Sequence, residues 1–364
     1  MIINDVENKK GFKNFPTSDI ALTLKYYKND LFLTDTIPID KNGFENIFST
    51  YGAIPPTRII VDEEYFISSK KENKKDLRNL NNFLEEGDKI FYIDISLEFY
   101  HFFMDSFSNI LLLYKNNPKS LFIINYSAEE HIEEERTYLL ILKDFLSKNN
   151  IKHILLESDY LIALNNFYYI SMSRNCNEQI DLIFDFSRQY VKDKNSTPTK
   201  KVFLSRRYVD NQRSFHNNFD YFNKNWNWIG LDEKEIIDFH DIRMHNEIIF
   251  CDFIKDIGYE IIYPEKFTSI YEQIDFFNDV KTIISPTSAS LINSIFMQPG
   301  GNVIELITPM LPGHSGNFDL HSFHYLDISY VKKHNYFGIP NKHDAKNLID
   351  YLQNNKQLMN LLES

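Results

Sequence analysis

Three short stretches combine residue types that do chemistry with spacings that bring them together. His101 and Asp105 stand four apart at the start of a nearly all-apolar helical pattern, "HFFMDSFSNILLLYK". That spacing places both on one helix face. An imidazole oriented by a carboxylate is a general base near neutral pH. A satisfied structural His–Asp pair is the alternative, and Asp94 and Glu98 are neighbouring carboxylates suited to the same task. Arg206 and Arg207 follow the apolar run "KVFLS" directly. Guanidinium forks match phosphate oxygens bidentately; a surface salt bridge is the plainer reading.

The third stretch is "ISPTSASLINSIFMQPGGNVIEL", from Ile284 to Leu306. A short apolar strand turns through Pro286, Thr287, Ser288, Ala289 and Ser290 into an apolar helix, breaks at Pro299-Gly300-Gly301, and ends in a second strand. Small residues let a backbone approach a ligand closely, and a helix N-terminus offers free N–H groups and a positive dipole end to an anion. The hydroxyls of Thr287, Ser288 and Ser290 add donors. The alternative is a tight turn in which serine does no more than cap the helix. Glu305 ends "VIEL" just beyond, where acidic residues at strand ends bond ribose hydroxyls or face solvent. There is no Walker lysine and no GxGxxG, so neither a P-loop nor a dinucleotide fingerprint is present. His314, His321 and His324 have no closed metal-site spacing, and no Asp-x-Asp stands at a strand end.

These groups need a scaffold, and the chain supplies alternating strands and helices. "DKIFYIDIS", "SLFIIN" and "KHILLE" read as strands in the first half, with helical patterns between them. The second half repeats the rhythm with "KVFLS", "NEIIFCDFIKDIG", "YEIIYP", "SIYEQIDFFNDV" and "KTIIS". Gly258 sits where a helix stop belongs, and Ser269 with Glu272 has capping-box spacing. Strand–helix alternation predicts parallel sheets covered by helices. The polar stretch "VKDKNSTPTKK" at 191–201 marks a boundary. The expected fold class is α/β, with two Rossmann-like domains facing a cleft. The expected domains are residues 1–195, 196–340 and a C-terminal helix at 341–364 packing back on the first domain.

Composition narrows the partners. The chain has 364 residues, 43% hydrophobic and 25% charged, enough for a real core. Its formal charge of −12 argues against nucleic acid. Aromatics reach 15%, and part of that content is expected to line a cleft. Two cysteines, Cys176 and Cys251, make no disulfide framework. No signal-peptide run opens the sequence, and no stretch reaches about 18 uninterrupted apolar residues. A soluble, reduced, cytoplasmic protein is the expectation.

The order of motifs from Arg243 to Leu306 resembles glycosyltransferase family 61. "RMHNE" is similar to that family's Arg-x-x-Asn-Glu element, "GYE" to its Gly-Tyr/Phe-Glu strand, and "EQI" to its Glu-Gln-Ile helix. "PGGNVIE" looks like its Pro-Gly-x-x-Val-Ile-Glu ending, "KVFLSRR" like its strand ending in Ser-Arg, and "FYHFFMDSF" like its aromatic-His-aromatic helix start. The family's turn is Gly-x-His-Gly-Ala-Gly-Leu-x-Asn. Here Ser285, Thr287, Ser288, Ala289, Ser290, Leu291 and Asn293 align with it. Threonine stands where the family has a donor-contacting histidine, and serines stand for glycines.

The resemblance implies a GT-B enzyme: an inverting, metal-independent transfer from a nucleotide-diphosphate sugar to a cell-surface oligosaccharide or polysaccharide. No cofactor is implied beyond that donor. Arg206, Arg207, Arg243, Asn246, Glu247, the aligned turn and Glu305 become the donor site, with His101 and Asp105 the catalytic pair opposite. A bacterial-looking chain of this kind would build capsule or lipopolysaccharide at the cytoplasmic membrane face. The departure in the turn motivates a second reading, an inactive glycan- or nucleotide-binding protein of the same fold.

Overall fold

The structure, a computed structural model, describes residues 22–27, 31–34, 59–61, 74–95, 99–126, 137–157, 161–164, 166–173, 177–206, 244, 246–307, 324–341 and 344–363. They fall into two compact units divided between Phe186 and Ser187.

The first unit begins with β1 (Leu22–Tyr27), β2 (Leu31–Thr34), β3 (Ile59–Val61) and β4 (Lys74–Asp76). β5 (Ile90–Ile95) follows, then a helical turn at Phe99–His101, a π-helical segment at Phe102–Phe107, and α1 (Ser108–Asn116). Next come β6 (Leu121–Tyr126), α2 (Thr137–Lys148), β7 (His153–Glu157), β8 (Leu161–Leu164), β9 (Phe167–Ser173) and α3 (Asn177–Ser187). The main sheet has the order β1-β9-β5-β6-β7. β9, β5, β6 and β7 run parallel, and β1 pairs antiparallel with β9 at the edge. β5 is buried along its whole length, the pattern of a parallel strand covered on both faces. A small sheet, β3-β2-β8-β4, joins segments far apart in sequence.

The second unit holds β10 (Lys200–Leu204), α4 (Glu247–Asp256), β11 (Glu260–Ile262), α5 (Ile270–Asn278), β12 (Val280–Pro286), a 3₁₀ segment at Ala289–Phe296 and β13 (Asn302–Ile307). It ends with α6 (His324–Val331), β14 (Asn335–Pro340), α7 (Ala345–Gln353) and α8 (Lys356–Glu363). Its five strands are all parallel, in the order β11-β10-β12-β13-β14. Counted along the chain, that order is second, first, third, fourth, fifth. The chain steps from β10 to β11, then crosses back to β12 on the other side of β10. In a doubly wound sheet this reversal opens a crevice beyond the strand carboxyl ends.

The local signals at helix ends act as their residue types dictate. Gly258 takes φ +91°, and the bonds Tyr259 N–H to Ile254 O and Gly258 N–H to Lys255 O close α4. Ser269 accepts the Glu272 N–H, while the Glu272 carboxylate reaches the backbone N–H and hydroxyl of Thr268.

The polar stretch 191–201, just past the division between the units, is docked on the second unit. Arg188 donates to Asn278 at 2.5 Å and to the Lys194 carbonyl, Ser196 donates to Asp279, and the Lys192 N–H donates to Asp275. The C-terminal segment packs on the second unit. Leu348, Leu352, Leu358 and Leu362 complete the second unit's core with Phe250, Ile254 and Tyr259. The Tyr259 hydroxyl donates to the Leu362 carbonyl at 3.0 Å. Apolar residues on one stripe of each short helix had to be covered by a neighbour: α7 packs on α4, and α8 packs on α7.

Candidate functional site

In the second unit the strand order assigns the crevice of a doubly wound sheet to the carboxyl ends of β10 and β12. The ladder continues one residue past β10 through the Ser205 N–H to Ile262 O bond of 2.9 Å. The Ser205 hydroxyl and the Arg206 N–H both donate to Glu247 Oε1, at 2.5 and 3.2 Å. Glu247 is the first residue of α4 and is buried. Its position at the helix N-terminus suits a carboxyl group, and the two donors satisfy Oε1. This fixes the backbone of Arg206 at the strand end, with the residue half-buried.

Across the crevice, Ser285 is fully buried. Its hydroxyl lies 3.4 Å from the Leu204 carbonyl of β10 and 3.3 Å from the Ser288 hydroxyl. Ser288 is the N-cap by position, but its side chain makes no capping bond. Capping therefore does not explain this serine. Its carbonyl instead accepts the Tyr325 hydroxyl at 2.5 Å, and the Thr287 N–H extends the β12–β13 ladder to Leu306 O at 3.1 Å. The helix expected after the turn is a 3₁₀ segment.

Asn293 and Glu305 brace the turn from behind. Asn293 donates to the Ser290 carbonyl at 2.8 Å and accepts from Gln273 of α5 at 2.7 Å. Glu305 accepts the Thr287 hydroxyl at 2.7 Å on one oxygen and the Tyr336 hydroxyl at 2.5 Å on the other. Burial pushes the Glu305 carboxyl up to about 7, against the downward pull of the bonds from Tyr336 and Thr287. Behind the Pro-Gly-Gly break, buried His334 accepts the Gly301 N–H on Nδ1 and bonds the Ser294 carbonyl through Nε2. Burial lowers its pKa to about 4, so the ring is neutral.

The structure thus sorts the expected donor residues. Arg206, Thr287, Ala289 and Ser290 are at least partly exposed near the crevice. Leu291, Asn293 and Glu305 are wholly buried; they support the turn, and Glu305 does not present itself to a ribose. Glu247 likewise works from the interior. Asn246 lies off the site: it takes φ +55° and donates to Asp344, the N-cap of α7, at 2.7 Å. Arg207 and Arg243 fall outside the described residues. Sequence reasoning missed Ser205 as the partner of Glu247, although the Ser-Arg ending of the strand had marked it, and missed Tyr325 and Tyr336, for which no local signal exists.

In the first unit, the reversal of strand order falls between β5 and β9, and the helical turn bearing His101 follows β5. His101 Nδ1 and Asp105 Oδ2 are 2.6 Å apart, with side chains 30% and 17% exposed. The imidazole is therefore neither loose nor sealed in the core. The π-helical segment that follows His101 and carries Asp105, a form common at functional sites, is pinned by a buried network. Asn109 donates to the Asp105 carbonyl, and Gln179 of α3 donates to Asn109 at 2.5 Å and to Ser108 at 3.3 Å. Asp94, at the end of β5, accepts from Asn125 at 2.9 Å and from Tyr92 at 3.1 Å. Among the described residues, no three His, Cys, Asp or Glu side chains cluster as metal ligands, and no helix is long and apolar enough to cross a membrane.

The family model described as Glycosyltransferase 61 matches residues 99–304, more than half of the 364. The match runs from the helical turn of His101 into β13, covering His101, Asp105, Arg206 and the 285–293 turn and ending one residue before Glu305. No curated protein matches the chain.

Proposed function

The chain belongs to glycosyltransferase family 61, and from that premise we propose an inverting transfer of a sugar from a nucleotide-diphosphate donor to a cell-surface oligosaccharide or polysaccharide. In this reading the two units are the acceptor-side and donor-side domains of a GT-B enzyme. The observation that carries the donor site is the strand order β11-β10-β12-β13-β14. It sets Arg206 and the 285–290 turn at adjacent strand ends, where doubly wound sheets take their ligands. The guanidinium group and the turn's N–H groups face the diphosphate and stabilise the charge that grows on it as the glycosidic bond breaks.

The acceptor hydroxyl attacks the anomeric carbon, and the carbon–oxygen bond to the diphosphate breaks with its electron pair leaving on the nucleotide. The acceptor proton passes to His101, which Asp105 orients through Nδ1. No step is assigned to a metal ion, because the sequence has no Asp-x-Asp at a strand end. Capsule or lipopolysaccharide assembly at the cytoplasmic face of the membrane is the setting we propose.

A second reading, an inactive binding protein, has one observation in its favour: Thr287 and three serines occupy the family's His and Gly positions. Thermal shift against a nucleotide panel, followed by product analysis with mixed nucleotide sugars and cell-surface oligosaccharides, separates the two. Nucleotide binding without any transfer supports the second. Arg206→Ala should lower turnover far more than folding stability. A nucleotide bound wholly by residues before 187 would refute the donor site.

A further inference from the structure

Glu305 is a fully buried acid that the proposed transfer leaves without a task. It lies on β13, in register with Ser285 of β12 and Gly338 of β14, directly beneath the turn. We propose that Glu305 is a positioning residue that sets which way the Thr287 hydroxyl points its proton, so that binding of a nucleotide-diphosphate sugar takes up one proton at Glu305. This rests on the reading of the 285–290 turn as the donor site.

A threonine hydroxyl has one proton to give. With Glu305 ionised, that proton is spent inward on Oε1 at 2.7 Å, with the Leu306 carbonyl at 3.5 Å as the longer alternative acceptor. Thr287 then turns lone pairs toward the crevice, the wrong polarity for a phosphate oxygen. With Glu305 protonated, Oε1–H donates to Thr287 Oγ1, and the threonine proton turns outward to the anion. Oε2 continues to accept from Tyr336, so the carboxyl group stays anchored.

The surroundings keep both states accessible. Among the described residues, the titratable groups facing Glu305 are tyrosines: Tyr336 from β14, and Tyr325 from α6 acting through Tyr336. β12 and its turn offer the Thr287 hydroxyl. No lysine or arginine appears among the groups that set its charge, and burial places the carboxyl at about 7. A diphosphate arriving next to Thr287 adds negative charge and favours the neutral acid further. The proton comes from solvent on binding and returns when the diphosphate departs.

The test is binding of UDP-glucose, GDP-mannose and ADP-glucose, whose diphosphates do not titrate near neutrality, to the full chain at pH 6, 7 and 8. For whichever probe binds, affinity should weaken about tenfold from pH 6 to pH 8 as the protonated fraction falls. Calorimetry in buffers of different ionisation enthalpy should report proton uptake at pH 8. Glu305→Gln presents an N–H to Thr287 as the protonated acid does, so it should hold the pH 6 affinity across the range. Thr287→Val should bind weakly, with a shallower pH dependence than wild type, because only the direct repulsion between Glu305 and the diphosphate is left. A flat wild-type profile, or a Glu305→Gln profile as steep as wild type, overturns the proposal while leaving the donor site standing. Binding indifferent to Arg206→Ala, or no binding of any probe, overturns the donor site and this proposal with it.

Discussion

Glu305 should also make the unliganded protein lose stability as the pH rises, opposite to the behaviour of most paired carboxylates. Its native pKa of about 7 lies above the unperturbed value of 4.5. Between those values the folded state holds a proton that the unfolded chain gives up, so folding is favoured at the acid end. The stabilisation is complete below about 4.5, declines as pH rises, and is gone above about 7. The gap of about 2.5 units, at 1.36 kcal/mol per unit, makes the swing about 3 kcal/mol. Full burial leaves no solvent screening to discount it.

The assay is urea unfolding by circular dichroism at pH 5, 6, 7 and 8 for wild type and Glu305→Gln. The difference between the two should change by about 2 to 3 kcal/mol across that range, with the glutamine variant relatively more stable at pH 8. Tyr336→Phe removes a bond that favours the charged form, so it should move the transition to higher pH. Parallel profiles for wild type and Glu305→Gln would refute the reasoning, because they would mean that the carboxyl titrates alike in folded and unfolded chains.

Other expectations follow from particular contacts. His101→Ala should lower transfer about 10²- to 10⁴-fold with nucleotide affinity nearly intact, and Asp105→Asn should fall less if the carboxylate only orients the ring; near-normal transfer by both would move the base to Asp94 or Glu98. Leu362→Ala removes a fully buried side chain from the core formed with Tyr259 and Phe250, and chemical denaturation should show a loss of about 2 to 5 kcal/mol; no loss would mean that α8 does not complete that core. Gly258→Ala meets no atom within 4 Å but must hold φ +91°; thermal unfolding should register about 1 kcal/mol, and Gly258→Asn less.

The sequence alone carried the periodic and local features of this protein. Alternating strand and helix patterns fixed an α/β class because side-chain period is a property of each segment. Gly258 ended α4, Ser269 capped α5, and the four-residue spacing of His101 and Asp105 made them neighbours, since each of these depends only on residues a turn away. Tertiary structure decided the rest. Nothing in "KVFLS" or "KTIIS" says that β10 and β12 are adjacent with β11 outside them, yet that order creates the crevice. The antiparallel edge strand β1 and the sheet β3-β2-β8-β4 join distant segments with no pattern to announce the pairing. Residues 191–201 are polar and mark a boundary in the sequence, but only the fold shows that Arg188, Asn278 and Asp279 supply partners for them. Glu305 shows the limit most clearly. Its place at a strand end was legible, and a ribose was a reasonable partner for it. Its actual partners, Thr287 and Tyr336, come from the turn after β12 and from β14. A carboxylate's surroundings are set by which strands flank it, and that is settled only when the whole sheet assembles.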